Sequence, residues 1–281
     1  MIIEPFKTEI NFTSSGDLKF FFLGVGSAFA KRNFQTNLII VKGQDHLLVD
    51  CGNICPYAFY TYSTPITKVK NILVTHSHAD HIGGLEEIAL SGRYISKSRP
   101  NMIITDKYKK ILWNQSLKGG NAYGERSKRA YLSFKDYFNQ VKPLKVKNKS
   151  RILHETNVGG INIKMFRTRH IPDSAPSWVA SFLSYGILVD ERILFPSDTR
   201  FDPELIYSME KDFPSIEWIF HDCQFYNGGV HAGYSELVSL PLEIKKKIFL
   251  VHYGDNFESF EPEKDGFAGF AKQGVYYNFD K

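Results

Sequence analysis

Apolar residues in this chain come in short blocks closed by polar turns. LKFFFLGVG is a strand-like run that enters a turn at Gly24 and Gly26, and TNLIIVKGQDHLLVD reads as strand, polar turn and strand, with Asp50 at the end. Residues 180–199, ASFLSYGILVDERILFPSDT, repeat that outline: a strand, a turn at Asp190–Arg192, a short strand and then Asp198. The chain therefore looks like two copies of one β-unit. Three more apolar runs each finish on a polar group: NILVTHSH at 71–78, IEWIFHDCQ at 216–224 and KKIFLVHYGD at 246–255. Runs of Ile, Val, Leu and Phe this short suit strands covered on both faces. Polar groups just past their ends collect at one sheet edge, where open α/β sheets carry their sites. GGLEEIALSGRY and PELIYSMEKDF supply helices, the second started by Asp202 as N-cap and Pro203 in the first turn. The pattern predicts an α/β protein.

Residues 92–155 differ in texture, being rich in lysine and aromatics, with Gly119–Gly120 expected to break two helix-like stretches. In YLSFKDYFNQV, the side chains of Tyr131, Phe134, Tyr137 and Phe138 recur at helical spacing and predict an amphipathic helix. Such a helix would pack on the body or on a second subunit; a lid or rim over the site is the functional alternative. We expect one domain over residues 1–281 that carries this insert.

The 43% hydrophobic and 23% charged fractions are those of a soluble globular protein, and no apolar run approaches the roughly 20 residues that span a bilayer. A membrane protein is excluded on that ground. The N-terminal MIIEPFKTEINFTSSGDLKF lacks a basic segment followed by a continuous apolar one, and three cysteines make no even-numbered disulfide framework. These features predict the reducing cytoplasm. A net charge of +5 is compatible with an anionic substrate and falls well short of a nucleic-acid-binding tail.

THSHADHIGG, residues 75–84, follows an apolar strand and gathers His76, His78, Asp80 and His81, although the whole chain has only nine histidines. On an extended loop, His76 and His78 at i and i+2 direct both imidazoles to one side, where they can grip one metal. As the chain turns toward the helix, Asp80 and His81 can reach a second. Imidazole nitrogen and carboxylate oxygen suit Zn²⁺ or Mn²⁺, and three or four protein ligands per ion leave a position for water, as in catalytic rather than structural sites.

The run His76-Ser77-His78-Ala79-Asp80-His81 resembles the HxHxDH signature of the metallo-β-lactamase-fold hydrolase superfamily. That resemblance implies an αββα sandwich made of two similar halves. It also implies two divalent metal ions, Zn²⁺ first and Mn²⁺ as the alternative. By the same resemblance His170 in TRHIPDS joins His76 and His78 on one ion, and His252 in FLVHYGD joins Asp80 and His81 on the other. Asp198 in FPSDTR would bridge them. Two ions about 3.5–4 Å apart can hold a bridging hydroxide, polarise an ester oxygen and stabilise both attacking and leaving groups. The flavodiiron branch, which carries glutamate in place of the second histidine, fits less well because His78 is kept.

FFLGVGSAFAKRNFQTNLII is similar to the opening of tRNase Z and its phosphodiesterase relatives, where a Gly-rich turn lies beside the site. Its backbone N–H groups could meet a phosphate; the plainer reading is a tight turn. IFHDCQFYNGGVHAGYSEL resembles the tRNase Z segment in which an acidic residue orients a histidine over the scissile phosphate. This implies catalytic roles for Asp222 as orienter and His231 as phosphate-facing group or general acid, with Asp80 counted both as ligand and as catalytic residue. HDCQ and Ala232–Gly233 depart from the usual residues of that segment. His221 is read as either a site-wall or a packed strand-end residue, and His46 and His154 as solvent histidines.

His170 and Asp198 are 28 positions apart, which leaves no room for the long arm with which tRNase Z grips tRNA. Size and motif order are instead similar to armless anti-Pycsar enzymes, in which a dimer can complete the site; residues 108–140 are the candidate contact. The expectation is a di-metal phosphodiesterase that cleaves a cyclic nucleotide or related small phosphodiester and forms a homodimer. Three alternatives remain: tRNA 3'-processing, hydrolysis of a carboxyl ester, lactone or β-lactam on the same centre, and non-catalytic sequestration of a signal nucleotide.

Overall fold

Short apolar strands, the central ones buried along nearly their whole length, build two eight-stranded sheets among the described residues of a computed structural model, which are 1–122, 126–127, 130–147 and 149–281. The first sheet runs in the order Ile2–Pro5, Val275–Asn278, Lys19–Gly24, Asn37–Lys42, Asp45–Val49, Asn71–Leu73, Asn101–Ile103 and Asn139–Val141. In the second the order is Leu144–Val146, Leu153–Val158, Ile161–Arg167, Tyr185–Val189, Ile193–Ser197, Trp218–Asp222, Ile248–Val251 and Gly269–Phe270. Each sheet is antiparallel up to a hairpin, Asn37–Val49 or Tyr185–Ser197, and parallel from there to its edge. The repeated strand-turn-strand outline is thus a repeated pairing, with Asp50 and Asp198 each one residue past the last strand of its hairpin.

Period-two alternation decides which side chains meet. Phe195, Phe220 and Phe249 join Phe20 and Phe22 in the main core between the sheets, where the rings of Phe22 and Phe220 lie 5.0 Å apart. Their strand neighbours Leu194, Ile219, Ile248 and Leu250 face the other way, against Leu205, Ile206 and Met209 of the helix Pro203–Asp212. That helix starts as expected: the Asp202 side chain accepts the amide of Leu205 at 3.2 Å and Pro203 follows. Cys51, Cys55 and Cys223 are buried free thiols, and no described helix is long and apolar enough to cross a membrane.

Two expectations within residues 92–155 fail. Gly119 and Gly120 lie inside the helix Lys118–Ala122, which continues from Asp106–Ile111 through a π turn, instead of breaking it. A Cβ at Gly120 would stand 2.0 Å from a carboxylate oxygen of Glu86, so this glycine permits the close approach of Leu85–Ser91. YLSFKDYFNQV keeps one helical turn, Phe134–Tyr137. Phe138 is extended at ψ 145 because Asn139–Val141 pairs with Asn101–Ile103. Helical spacing there reflects burial of Phe134, Tyr137 and Phe138 around a turn and a strand start. Within the predicted insert, residues 123–125, 128–129 and 148 lie outside the described residues.

His46 is buried within Asp45–Val49, where Nε2 accepts the amide of Lys70 at 3.0 Å and the ring packs on Phe12 at 4.5 Å. Burial holds this imidazole down at about 4, so it is a neutral structural histidine and not a solvent group. The half-buried His154 lies in Leu153–Val158 with Nδ1 shielded from solvent. The Gly-rich turn is a packing device: the amides of Gly26 and Ser27 donate to Phe34 and Tyr253, and a Cβ at Gly24 would meet the Gln35 carbonyl at 2.3 Å. Those two N–H groups are therefore committed within the fold rather than free for a phosphate.

Candidate metal centre

The motif folds as a bend between strand and helix. Asn71–Leu73 is extended, His78 is still extended at ψ 153, and the helix Ala79–Ile82 begins directly after it, carrying Asp80 and His81 inward. His76 and His78 approach through Nε2 and Nδ1 at 2.9 Å, and His170 Nε2 lies 3.3 Å from His78 Nδ1. Across the centre, His81 Nε2 is 3.2 Å from Asp80 and 3.3 Å from Asp198, while His252 Nε2 is 3.5 Å from Asp198. Among the described residues, donor atoms lie within 4.8 Å of one another in three groups: His76, His78, His170 and Asp198; Asp80, His81, Asp198 and His252; and Asp198, Asp222 and His231. All seven side chains that the resemblance implied are thus in one place, and Asp198 is the one shared. They are more deeply set than a surface loop, since His76, Asp80, His81, His170, Asp198 and His252 are all buried.

Local backbone strain helps to assemble the ligands. Ser197 before Asp198, His252 itself and Asp50 adopt φ of 56°, 58° and 63°, a region that non-glycine residues enter only when their surroundings over-determine it. At Gly52 a Cβ would stand 2.0 Å from the Asp80 carbonyl, so glycine is required for the metal loop to close on this strand end.

Charge and hydrogen bonding test whether the set fits cations. Three carboxylates, Asp50, Asp80 and Asp198, are buried among imidazoles. Burial keeps His76 well below its ordinary value and His170 at about 4, so these rings are neutral and able to coordinate. Burial raises Asp80, but His81 and His252 outweigh it and hold that carboxyl at about 2. Burial likewise opposes charge on His81, yet Asp198, Asp80 and Asp50 overcome it and push this ring well up. Burial pushes Asp50 up, whereas Asp80 and Asp198 are held low, and these two buried anions call for positive charge. His81 Nε2, His252 Nε2 and Asp198 Oδ2 are buried without a hydrogen-bond partner, a costly state in low dielectric that coordination to cations relieves. The His/Asp clusters fit a two-metal site.

Asp222, at the end of Trp218–Asp222, accepts the Thr199 amide at 3.2 Å and lies 2.9 Å from His231 Nδ1 through the same oxygen, Oδ2. Burial lowers His231, but Asp222 and Asp198 more than reverse this and bring it up to about 9. His231 Nδ1 is 3.8 Å from the shared Asp198. His221 faces away from this role: it is buried, with Nδ1 bonded to the Asp222 carbonyl at 2.8 Å, and is a packed strand-end group.

Three supporting groups had no role assigned from sequence. Asp50 Oδ2 is 2.7 Å from His81 Nδ1, while its two oxygens also accept from the backbone N and Oγ1 of Thr75. This carboxylate–imidazole bond fixes the tautomer that leaves Nε2 for a metal. The signal was available: Asp50 stands at the end of its hairpin as Asp198 does at the end of the second. The Val230 carbonyl accepts from His170 Nδ1 at 2.8 Å, and Tyr108 shares a hydrogen bond with Ser77 at 3.0 Å; neither could be placed without tertiary contacts.

Two cavities flank the centre. One of about 380 Å³ is bounded by His231, His252 and the turn at Ser27–Phe29, and one of about 260 Å³ by His76, His78, His170 and Phe182. Larger depressions of about 430 and 690 Å³ lie elsewhere and contain none of the site residues.

Solved structures share this architecture at low identity. A diphosphatase from the PhnP family superposes with a TM-score of 0.66 at 14% identity, covering 93% of this chain and 98% of that one. The metallo-β-lactamase fold protein YhfI from Bacillus subtilis gives 0.65 at 16%, covering 93% and 99%. The short form of human tRNase Z gives 0.61 at 14%, covering 92% and 98%. The fold is therefore the metallo-β-lactamase fold. Closer relatives come from sequence. The anti-Pycsar protein Apyc1 of Bacillus phage BSP38 is 37% identical over 261 residues, which span 91% of this chain and 96% of the relative. That of Paenibacillus harenae is 32% identical over 240 residues, spanning 85% and 91%. Because the family's sequence profile also matches residues 18–277, which contain every ligand and both members of the Asp222–His231 pair, the chain belongs to the anti-Pycsar protein Apyc1 family.

Proposed function

We propose that this metal-dependent hydrolase is a phosphodiesterase that opens a cyclic nucleotide. The observation that carries the reading is His231, held by Asp222 at 2.9 Å and standing 3.8 Å from the aspartate shared by both ligand groups. Two divalent cations, Zn²⁺ first and Mn²⁺ as the alternative, would supply Lewis acidity and lower the pKa of water. His76, His78 and His170 would hold one, Asp80, His81 and His252 the other, and Asp198 would serve both. Asp50 fixes the His81 tautomer. Asp222 orients His231, which would pass a proton to the leaving alkoxide.

Membership of a family named for anti-Pycsar proteins supports a nucleotide substrate, as does the missing arm. A panel on metal-loaded protein tests the reading: cyclic nucleotides followed by chromatography, bis-p-nitrophenyl phosphate, nitrocefin and a homoserine lactone. The expected result is linear nucleotide as product, with little turnover of the lactam or lactone. Faster hydrolysis of either carboxyl substrate would overturn it, as would unchanged nucleotide that co-elutes with the protein.

A further inference from the structure

The cavity of about 380 Å³ carries groups that phosphodiester cleavage does not use. Phe29 and Tyr226 both line it and are 88% and 66% exposed. Gln224 lines it too, and its Oε1 is buried with no hydrogen-bond partner, although its Nε2 donates to the Gly228 carbonyl. Both rings sit on braced turns. The Ser27 amide donates to Tyr253 at 3.0 Å, the Ala30 amide to Ser27 at 3.1 Å, and the amides of Lys31 and Arg32 to Asp255. Around Tyr226, the Gln224 amide donates to Ala232 at 2.8 Å and Ser235 Oγ bonds Asn227 at 2.6 Å. Fixing the turns that carry these exposed rings lowers the ordering cost that a ligand would otherwise meet.

We infer that this cavity seats the nucleobase: Phe29 and Tyr226 supply stacking surfaces, and Gln224 Oε1 accepts an N–H from the edge of the base. The inference rests on the phosphodiesterase reading and adds the residues that select the base. Aromatic faces bind any base, whereas a buried acceptor left unpaired discriminates by edge. The volume falls in the range of small-molecule clefts, about 300–1,000 Å³. The smaller cavity is a poorer seat. Its lining includes Ile171, Phe182 and Leu183, and its serines are already engaged, Ser77 with Tyr108 and Ser184 with Thr168.

The test compares 3',5'-cyclic nucleotides with 1-O-methylribose 3',5'-cyclic phosphate, which has the same ester ring and no base, on full-length metal-loaded protein. Wild type is expected to show a KM about tenfold lower for its best nucleotide than for the abasic ester. Phe29→Ala and Tyr226→Ala should each raise the nucleotide KM by about tenfold, leaving kcat and KM on the abasic ester within about twofold. Gln224→Leu should level the ratios of kcat/KM among different bases. Equal KM for both ester types in wild type removes the seat and leaves the phosphodiesterase reading standing. Loss of the difference in Phe182→Ala alone also overturns it, by moving the base to the other cavity. Turnover of neither ester removes both readings together.

Discussion

Replacing Asp50 by Asn isolates one contact at the centre. Asparagine has the same shape and tolerates the left-handed backbone found there, φ 63°, so the strand end need not move. One amide oxygen can still accept from the Thr75 N–H, which sits 2.7 Å from Oδ1. The NH₂ group then opposes His81 Nδ1, 2.7 Å from the present Oδ2, and donor meets donor. Either that bond is lost or the ring moves its proton to Nε2, the atom needed for a metal. A hydrogen bond to a charged group contributes about 1.5–3 kcal/mol. Loss of a carboxylate behind a metal-bound histidine weakens affinity about 10–100-fold, or about 1.4–2.7 kcal/mol. The two scales agree, and both require a group as buried as Asp50. Titration of metal-free protein with Zn²⁺ against a chromophoric chelator should show one site weakened by that factor, the one formed by Asp80, His81 and His252. The site formed by His76, His78 and His170 should change little. Unaltered affinity at both sites, or equal weakening of both, would refute the role given to Asp50.

Removing the His231 side chain should lower kcat by about 10²–10⁴-fold with metal content unchanged by elemental analysis; loss of an ion in parallel would make His231 a ligand. His46 predicts acid sensitivity: its imidazole is held at about 4 in the fold, against an ordinary value of 6.5. Between those values the unfolded chain takes a proton that the folded one refuses. Stability is full above pH 6.5 and falls as the pH drops toward 4, by up to about 3 kcal/mol from this group. Urea unfolding of His46→Gln and wild type at pH values of about 7, 5.5 and 4.5 should show the variant losing less, and parallel losses would count against it. Tyr108→Phe deletes the 3.0 Å bond to Ser77, between His76 and His78. It should cost about 1 kcal/mol of stability in denaturant; a variant as stable as wild type and equally active would show that the contact does not position the loop.

Local chemistry made much of the centre readable. His76, His78, Asp80 and His81 lie within six residues, so one strand end and one bend bring them together, and no distant contact has to be known. The repeated strand-turn-strand outline pointed to two copies of one β-unit, because short continuous apolar runs suit strands covered on both faces. The helix at Pro203 was equally local, set by its own cap. His170, Asp198 and His252 were assigned by resemblance, since single residues at sequence distances of 28 and more carry no signal of proximity.

Other features were decided only by tertiary packing. Gly120 leaves room beside its helix for the Glu86 carboxylate, and Phe138 leaves the helical path because a neighbouring strand pairs with the next residues. His46 looked like a turn residue, yet the Lys70 amide and the Phe12 ring make it part of the core. Asp50 became a partner of His81 only when a strand end and the helix Ala79–Ile82, 31 residues further on at His81, were brought side by side. The sequence by itself determined the four donor groups of the motif and the elements that carry them, because both depend on residues a few positions apart. The tertiary structure decided which buried group stabilises which charge, because the cost of burial depends on neighbours that the chain supplies from far away.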